Sequence, residues 1–287
     1  MKAVVIFSFD RPGILRQCLT NLGTPDSVDI HLFQDGAINP HSRKLKTQPI
    51  KIHECVETFK ELVPRGTVHN SPINLGVGLN HLRAYEYIFE EKKYDMCTFF
   101  DDDTLCSNVD ALFKICDRTR SIPDVMGADA LPIPYKYPSD EEKVMLCDTW
   151  KYHIAYLAFT CCREKYMTIS DMYKKKIHEF CDGVDYTMRD YRRIQKYLNH
   201  EFGSQDWVRD RCFREFGMTK KAITSRPMTR NIGEHGVHMR PDSYRFYKFD
   251  QTVPEEVTGE GEIVDEPVFD IHINRSEPYP DIVKDKN

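Results

Sequence analysis

The first hundred residues alternate between short apolar runs and amphipathic stretches. Val4-Val5-Ile6-Phe7-Ser8-Phe9 is rich in β-branched and aromatic residues and does not alternate with polar ones, the pattern of a strand covered on both faces. Asp10-Arg11-Pro12-Gly13 breaks the run with turn residues, and Ile14, Leu15, Cys18, Leu19 and Leu22 then recur at helical spacing. The unit repeats. Asp29 to Gly36 reads as a second strand with a polar tip, Ile52 to Leu62 as a helix, and Thr67 to Asn70 as a short strand. A glycine-bearing loop, Asn74-Leu75-Gly76-Val77-Gly78, leads into a helix through Leu79, Leu82, Tyr85, Ile88 and Phe89, and a strand runs from Tyr94 to Phe100. Such alternation predicts an α/β fold with a mixed, mainly parallel sheet flanked by helices.

The pattern changes after Leu112-Phe113-Lys114-Ile115. Val125 to Ala130 reads as a strand, Pro132 to Glu142 as a loop, and His153 to Cys162 as a strong strand. Ser170 to Leu198 has a polar, aromatic helical pattern broken at Cys181-Asp182-Gly183, and Ser204-Gln205-Asp206-Trp207 opens a helix running from Val208 to Phe216. From Val253 onward the chain is acidic and proline-containing, the composition of a tail that wraps the surface or stays partly disordered. The sequence holds no internal repeat.

Three consecutive carboxylates, Asp101-Asp102-Asp103, end the strand that closes on Phe100. Carboxylates stacked at an apolar strand tip repel one another and are costly to desolvate, so the run is expected to hold a cation. Oxygen-only donors suit Mg²⁺ or Mn²⁺ better than zinc. The competing reading is an acidic cap for a helix starting near Ser107-Asn108. Arg11 and Asp35 also lie just past strand ends, where ligands of parallel sheets bind.

Composition narrows the classes. A net charge of −5 over 287 residues argues against an extended nucleic-acid footprint, and Lys174-Lys175-Lys176 and Arg192-Arg193 read as solvated helix faces. No apolar run is long enough for a transmembrane helix, and the N-terminal run is too short for a signal peptide and has no small-residue cleavage site before Asp10. The ten cysteines show no zinc spacing. Reduced thiols in a cytoplasmic protein are the expectation, with a soluble fragment of a secretory-pathway enzyme, disulfides included, as the alternative.

In order, these elements resemble the GT-A class of nucleotide-sugar glycosyltransferases. Ile6 to Pro12 looks like the first strand and nucleotide loop of that class, Phe33-Gln34-Asp35-Gly36 like its second strand, Asn74-Leu75-Gly76 like its Asn-x-Gly segment, and Phe99 to Asp103 like its metal-binding acidic motif. Within the class the segments are most similar to N-acetylglucosaminyltransferase I and its relatives in family 13. That family's Cys-Asp-Arg, Ser-Gln-Asp, Glu-Asp-Asp and Asp-Asp-Trp segments are matched by Phe9-Asp10-Arg11, Phe33-Gln34-Asp35, Asp101-Asp102-Asp103 and Gln205-Asp206-Trp207. Its late glycine-punctuated segment is echoed from Arg226 to His238. The chain departs from the family in that no anchor or stem is expected, and residues 145–198, where an acceptor site would lie, match nothing closely. The resemblance implies one GT-A domain over residues 1–250, with a nucleotide-binding half to 110 and an acceptor and catalytic half from 111, followed by a tail over 251–287.

It also implies a chemistry: metal-dependent, inverting transfer of a sugar from a UDP-sugar to a carbohydrate hydroxyl. UDP-GlcNAc is the first donor expected, with UDP-glucose or UDP-galactose as alternatives. Mn²⁺ or Mg²⁺ would stabilise the charge of the leaving diphosphate. Asp103 is the expected direct ligand, and Asp101 its partner on metal-bound water or ribose. Strand alternation sets Asp101 and Asp103 on one side, with Asp102 toward the sugar hydroxyls. Ser8 belongs to the nucleotide loop. Asp35 would accept the uracil N–H or serve as a turn residue, Arg11 would meet phosphate or base or form a surface ion pair, and Asn74 would cap the next helix or orient the nucleotide. Asp206 is the candidate base, with a helix-cap or first-turn role as the alternative. His238, with His235 second, is a further metal-ligand candidate. Arg226 or Arg230 would reach phosphate, and Trp207 or Trp150 would offer a face to the sugar, with core packing as the alternative for Trp150. Two competing functions are a nucleotidyltransferase, whose glycine-rich first loop is missing here, and a catalytically silent carbohydrate-binding relative.

Overall fold

The computed structural model describes residues 1–23, 26–106, 108–130, 142–148, 158–181, 205–225, 228–232 and 257–265. The order of elements begins β1 (Lys2–Ser8), α1 (Pro12–Thr20), β2 (Asp29–Gln34), α2 (Pro49–Leu62), β3 (Thr67–Asn70), α3 (Gly76–Tyr85) and β4 (Met96–Asp101). It continues with β5 (Thr104–Cys106), α4 (Val109–Thr119), β6 (Val125–Asp129), β7 (Lys143–Asp148), β8 (Ala158–Cys162), α5 (Arg163–Cys181), α6 (Gln205–Glu215), β9 (Lys220–Thr224), β10 (Thr229–Asn231) and β11 (Glu262–Asp265). Among the described residues, one nine-stranded sheet runs β11-β7-β9-β6-β8-β4-β1-β2-β3, and β5 pairs with β10 separately. The expected mixed, mainly parallel α/β sheet is thus present. The block β3-β2-β1-β4 is parallel throughout, and β8 inserts antiparallel to both β4 and β6.

Burial on both faces explains the unalternating strands. Val4, Ile6, Leu32 and Phe100 pack on one face against Leu15 and Leu19 of α1, Phe59 of α2 and Phe113 of α4. Ala3, Val5, Phe7, Phe33 and Phe99 pack on the other against Leu82 and Tyr85 of α3, Tyr166 and Tyr173 of α5, and Phe213 of α6. Helix starts follow local chemistry. Pro12 and Pro49 sit in the first turns of α1 and α2, where the missing N–H costs nothing. The Asn108 side chain caps α4 by accepting from the Ala111 amide at 3.2 Å. The capping role considered for the acid run therefore belongs to Asn108.

Several elements differ from expectation. The α3 helix loosens into π-helical geometry over Glu86–Glu91. The α5 helix starts directly at Arg163, seven residues before the expected Ser170. Strands β7 and β9 were not anticipated, and part of the acidic tail is β11, parallel to β7. Its approach is tied down: the Glu142 carboxylate accepts from the amides of Thr258 and Gly259, and Gly259 (φ +75°) passes so close to Ala111 that a Cβ would sit 2.6 Å from its carbonyl oxygen. Most of the expected loop at 132–142, the start of the 153–162 strand and the helical stretch over 183–198 lie outside the described residues. No helix among the described residues is long and apolar enough to cross a membrane. All ten cysteines are buried.

Candidate active site

The carboxyl ends of β1, β2 and β4 meet at one sheet edge. Phe7 pairs with Asp101 and Ser8 with Gln34, while the Asp102 amide donates to the Phe7 carbonyl at 3.0 Å and the Asp35 amide to the Ser8 carbonyl at 2.9 Å. Here the acid run divides between the two faces of the sheet.

Asp102 and Asp103 go to the α1 side. Arg11, at the mouth of α1, donates from Nη1 to Asp103 Oδ2 at 2.9 Å and from Nη2 to Asp102 Oδ1, and Ser8 Oγ donates to Asp102 Oδ2 at 3.2 Å. Asp102 is only 2% exposed, and burial pushes its carboxyl up to about 7 against the pull of Arg11. Burial favours the neutral form of Arg11, but the carboxylates of Asp102 and Asp103 outweigh it and keep the guanidinium firmly charged. Two expectations change. Asp102 is pinned by Arg11 and Ser8 rather than turned toward a sugar. The alternation expected to group Asp101 with Asp103 stops where β4 ends, so Asp103 joins Asp102 under Arg11. The Asp103 carbonyl accepts from the Ile232 amide at 2.8 Å, and β10 lies antiparallel to β5 with Arg230 opposite Leu105. Arg230 thereby comes to the rim of the acid run, with its Nε buried and without a hydrogen-bond partner.

Asp101 goes to the α3 side. There His81 of α3 stacks on Phe7, with ring centroids 3.7 Å apart, and its Nε2 lies 3.8 Å from Asp101 Oδ1. Asp206, in the first turn of α6, shares this side. Burial raises its carboxyl above the usual range; Arg209, 3.5 Å away, and His81 oppose the rise, and Asp101 adds to it. Behind Asp206 runs a chain of buried charges that the sequence reading missed. Arg209 meets Asp210 at 3.3 Å and the Tyr85 hydroxyl at 3.3 Å, and lies 3.9 Å from the Phe159 ring centroid. Lys221 of β9 then bridges Asp210 at 3.2 Å and Asp129 at 3.1 Å. Burial lifts the carboxyls of Asp129 and Asp210 to about 7 and lowers Lys221 to about 8.

Asp35 has a structural commitment. Its Oδ1 accepts from the Gly36 and Leu75 amides at 2.9 and 2.7 Å, and its Oδ2 from Asn74 Nδ2 and the Gly76 amide at 2.9 and 3.0 Å. A carboxylate offers about four lone-pair sites, and all are taken by donors that fasten the β2 tip to the start of α3. Asn74 is likewise engaged: its Oδ1 accepts from Lys46 Nζ at 2.8 Å, and its Nδ2 also donates to the Gly36 carbonyl at 3.1 Å. Gly36 is required in this packing, because a Cβ there would meet the Ile73 backbone at 2.5 Å. The cap on α3 comes from Asp35, and the Asn74 side chain braces it.

Trp207 follows Asp206 on α6, and its side chain lies outside the described residues, as do Trp150, Arg226, His235 and His238. Among the described residues, no group of three or more His, Cys, Asp and Glu side chains is arranged to hold a metal ion. Asp101 and Asp103 are hard oxygen donors of the kind Mg²⁺ or Mn²⁺ takes when phosphate oxygens and water complete its shell. The donor chemistry therefore fits such an ion, with nucleotide and water completing the set.

No family model matches the chain, and no curated protein matches it. Among solved structures it is similar to an active-site mutant of LgtC, a GT-A glycosyltransferase, at 14% identity and a TM-score of 0.41, covering 90% of this chain and 99% of that one. Likeness at that level establishes neither activity nor descent, and the kinship with family 13 has no support in these comparisons.

Proposed function

We propose that this chain is a metal-dependent, inverting glycosyltransferase of the GT-A type, which moves a sugar from a UDP-sugar to a carbohydrate hydroxyl. One observation carries the reading: the acid run divides at the carboxyl edge of a parallel sheet, with Arg11 on one side and Asp206 on the other. A nucleoside diphosphate needs positive charge where it leaves, and an acceptor hydroxyl needs a base. Both kinds of group flank one carboxylate run.

Asp103 would hold the Mg²⁺ or Mn²⁺, with Asp101 acting from the other face on metal-bound water or ribose, and the ion would supply charge stabilisation to the leaving diphosphate. Arg11 and Arg230 stand at the run as further positive groups for phosphate. Asp206 accepts the acceptor's proton, and burial near Asp101 favours its taking one. The acceptor oxygen bonds to the anomeric carbon as the bond from that carbon to phosphate breaks, and the electron pair leaves with UDP. UDP-GlcNAc, UDP-glucose and UDP-galactose are the donors to try. The test is a screen of these three for Mn²⁺-dependent hydrolysis by the full chain, read as UDP release. Release from one donor that stops when EDTA is added supports the reading, and no release from any of them, with no UDP binding by calorimetry, sinks it.

A further inference from the structure

The imidazole of His81 has no role in the site as expected from the sequence, yet it is built into it. His81 is 6% exposed, and its Nε2 is buried without a hydrogen-bond partner. A buried polar atom left unsatisfied costs stability, and such atoms in a folded chain call for an explanation. The ring is held face to face on Phe7 at 3.7 Å and 13°, so it is not free to turn its nitrogen elsewhere. Nε2 lies 3.8 Å from Asp101, too far for a hydrogen bond, and Asp206 is the charge that His81 senses most strongly. Burial lowers the imidazole to about 4, so it is neutral near pH 7 and offers one ring N–H or one lone pair.

Position supplies the ligand, on the glycosyltransferase reading above. Asp101 marks the diphosphate end of the donor and Asp206 marks the acceptor. The transferred sugar must lie between them, and His81 is the buried polar group that neighbours both. We infer that His81 is a donor-contacting residue whose Nε2 hydrogen-bonds a ring hydroxyl of the transferred sugar. Sites built around a buried hydrogen-bonding group discriminate strongly against ligands that leave it unpaired, so His81 would help select the sugar rather than hold the nucleotide.

The experiment is calorimetry with Mn²⁺ on the wild-type chain, His81→Phe and His81→Gln, using UDP and whichever of the three UDP-sugars the wild type hydrolyses. His81→Phe keeps a ring to stack on Phe7 and removes the nitrogen, and His81→Gln returns an amide group near the position of Nε2. The expected result is an affinity ratio of UDP-sugar to UDP that falls roughly tenfold in His81→Phe with UDP affinity unchanged, and that largely recovers in His81→Gln. An unchanged ratio in His81→Phe, or equal loss of both ligands, overturns the assignment. A wild-type chain that neither binds UDP nor hydrolyses any of the donors overturns the glycosyltransferase reading itself, and His81 with it.

Discussion

Arg11 Nη1 donates to Asp103 Oδ2 at 2.9 Å while its second nitrogen reaches Asp102. The carboxylates expected to attract a cation thus carry one from their own chain. Removing it leaves Asp102 buried with Ser8 as its remaining side-chain hydrogen-bond partner. Arg11→Ala should cost about 3–5 kcal/mol, the usual penalty for stranding one member of a buried pair, as measured by urea unfolding. The pH dependence has a definite sign. The folded Asp102 carboxyl, raised to about 7, lies above its unfolded value, so its contribution is full below about pH 4 and is lost as pH rises through 7. Without Arg11 the folded value rises further, so the variant should regain more stability than wild type on going from about pH 8 to about pH 5. Parallel curves for the two proteins would contradict this.

Asp206→Asn keeps the shape of the side chain and removes its basicity. Transfer should fall by about 10²–10⁴, while UDP affinity stays at the wild-type value. Turnover within a few-fold of wild type would exclude Asp206 as the base.

Asp103→Ala removes the expected metal ligand. Donor hydrolysis with Mn²⁺ should fall by roughly 10² or more, and titration of UDP should lose its response to Mn²⁺. Mn²⁺-dependent binding that persists in this variant would point to other ligands.

The four donors on Asp35 make it a fastening between β2 and α3. Asp35→Asn turns an NH₂ toward amide donors and should destabilise the fold by about 1–3 kcal/mol, seen as a lower melting temperature, with UDP affinity retained. Lost UDP affinity at an unchanged melting temperature would return Asp35 to a nucleotide-binding role.

A second polar chain titrates in the opposite direction. Tyr94 donates to Asp29 at 2.7 Å, so His31 Nε2 donates to the Tyr94 hydroxyl at 3.1 Å, and His31 Nδ1 must accept from His69 Nε2 at 3.2 Å. Chiefly through burial, both imidazoles are lowered to about 4, below their unfolded value. Their contribution is full above about pH 6.5 and is lost as pH falls toward 4. His69→Gln should flatten the loss of stability between those values relative to wild type, and an identical slope in urea melts would show that the pair does not titrate this way.

The β1-to-β4 half was legible because strands buried on both faces write continuous apolar runs, as in Val4 to Phe7 and Cys97 to Phe100. Strand β9 was not, because Lys220-Lys221 looks like surface. Lys221 is fully buried, and what permits it is Asp129, remote in sequence, together with Asp210 on the preceding helix. Asp35 was recognised as a tip residue, but the partners that define its task lie about forty residues downstream. His81 left no trace in the pattern, since a histidine on the core side of a helix reads as packing. The acid run was visible, and its division between two faces was not, because that depends on where β4 stops.

The end of the chain adds a consequence for handling the protein. Strand β11 covers the hydrogen-bonding edge of β7, with Val257 buried and Asn108 and Arg118 holding the carbonyls of Val257 and Gly259. A chain cut before Val257 would expose the bare edge of β7, with the apolar Val144-Met145-Leu146 run at its centre, and open edges of that kind recruit strands from other molecules. Residues 257–265, which look dispensable by composition, therefore keep that edge paired.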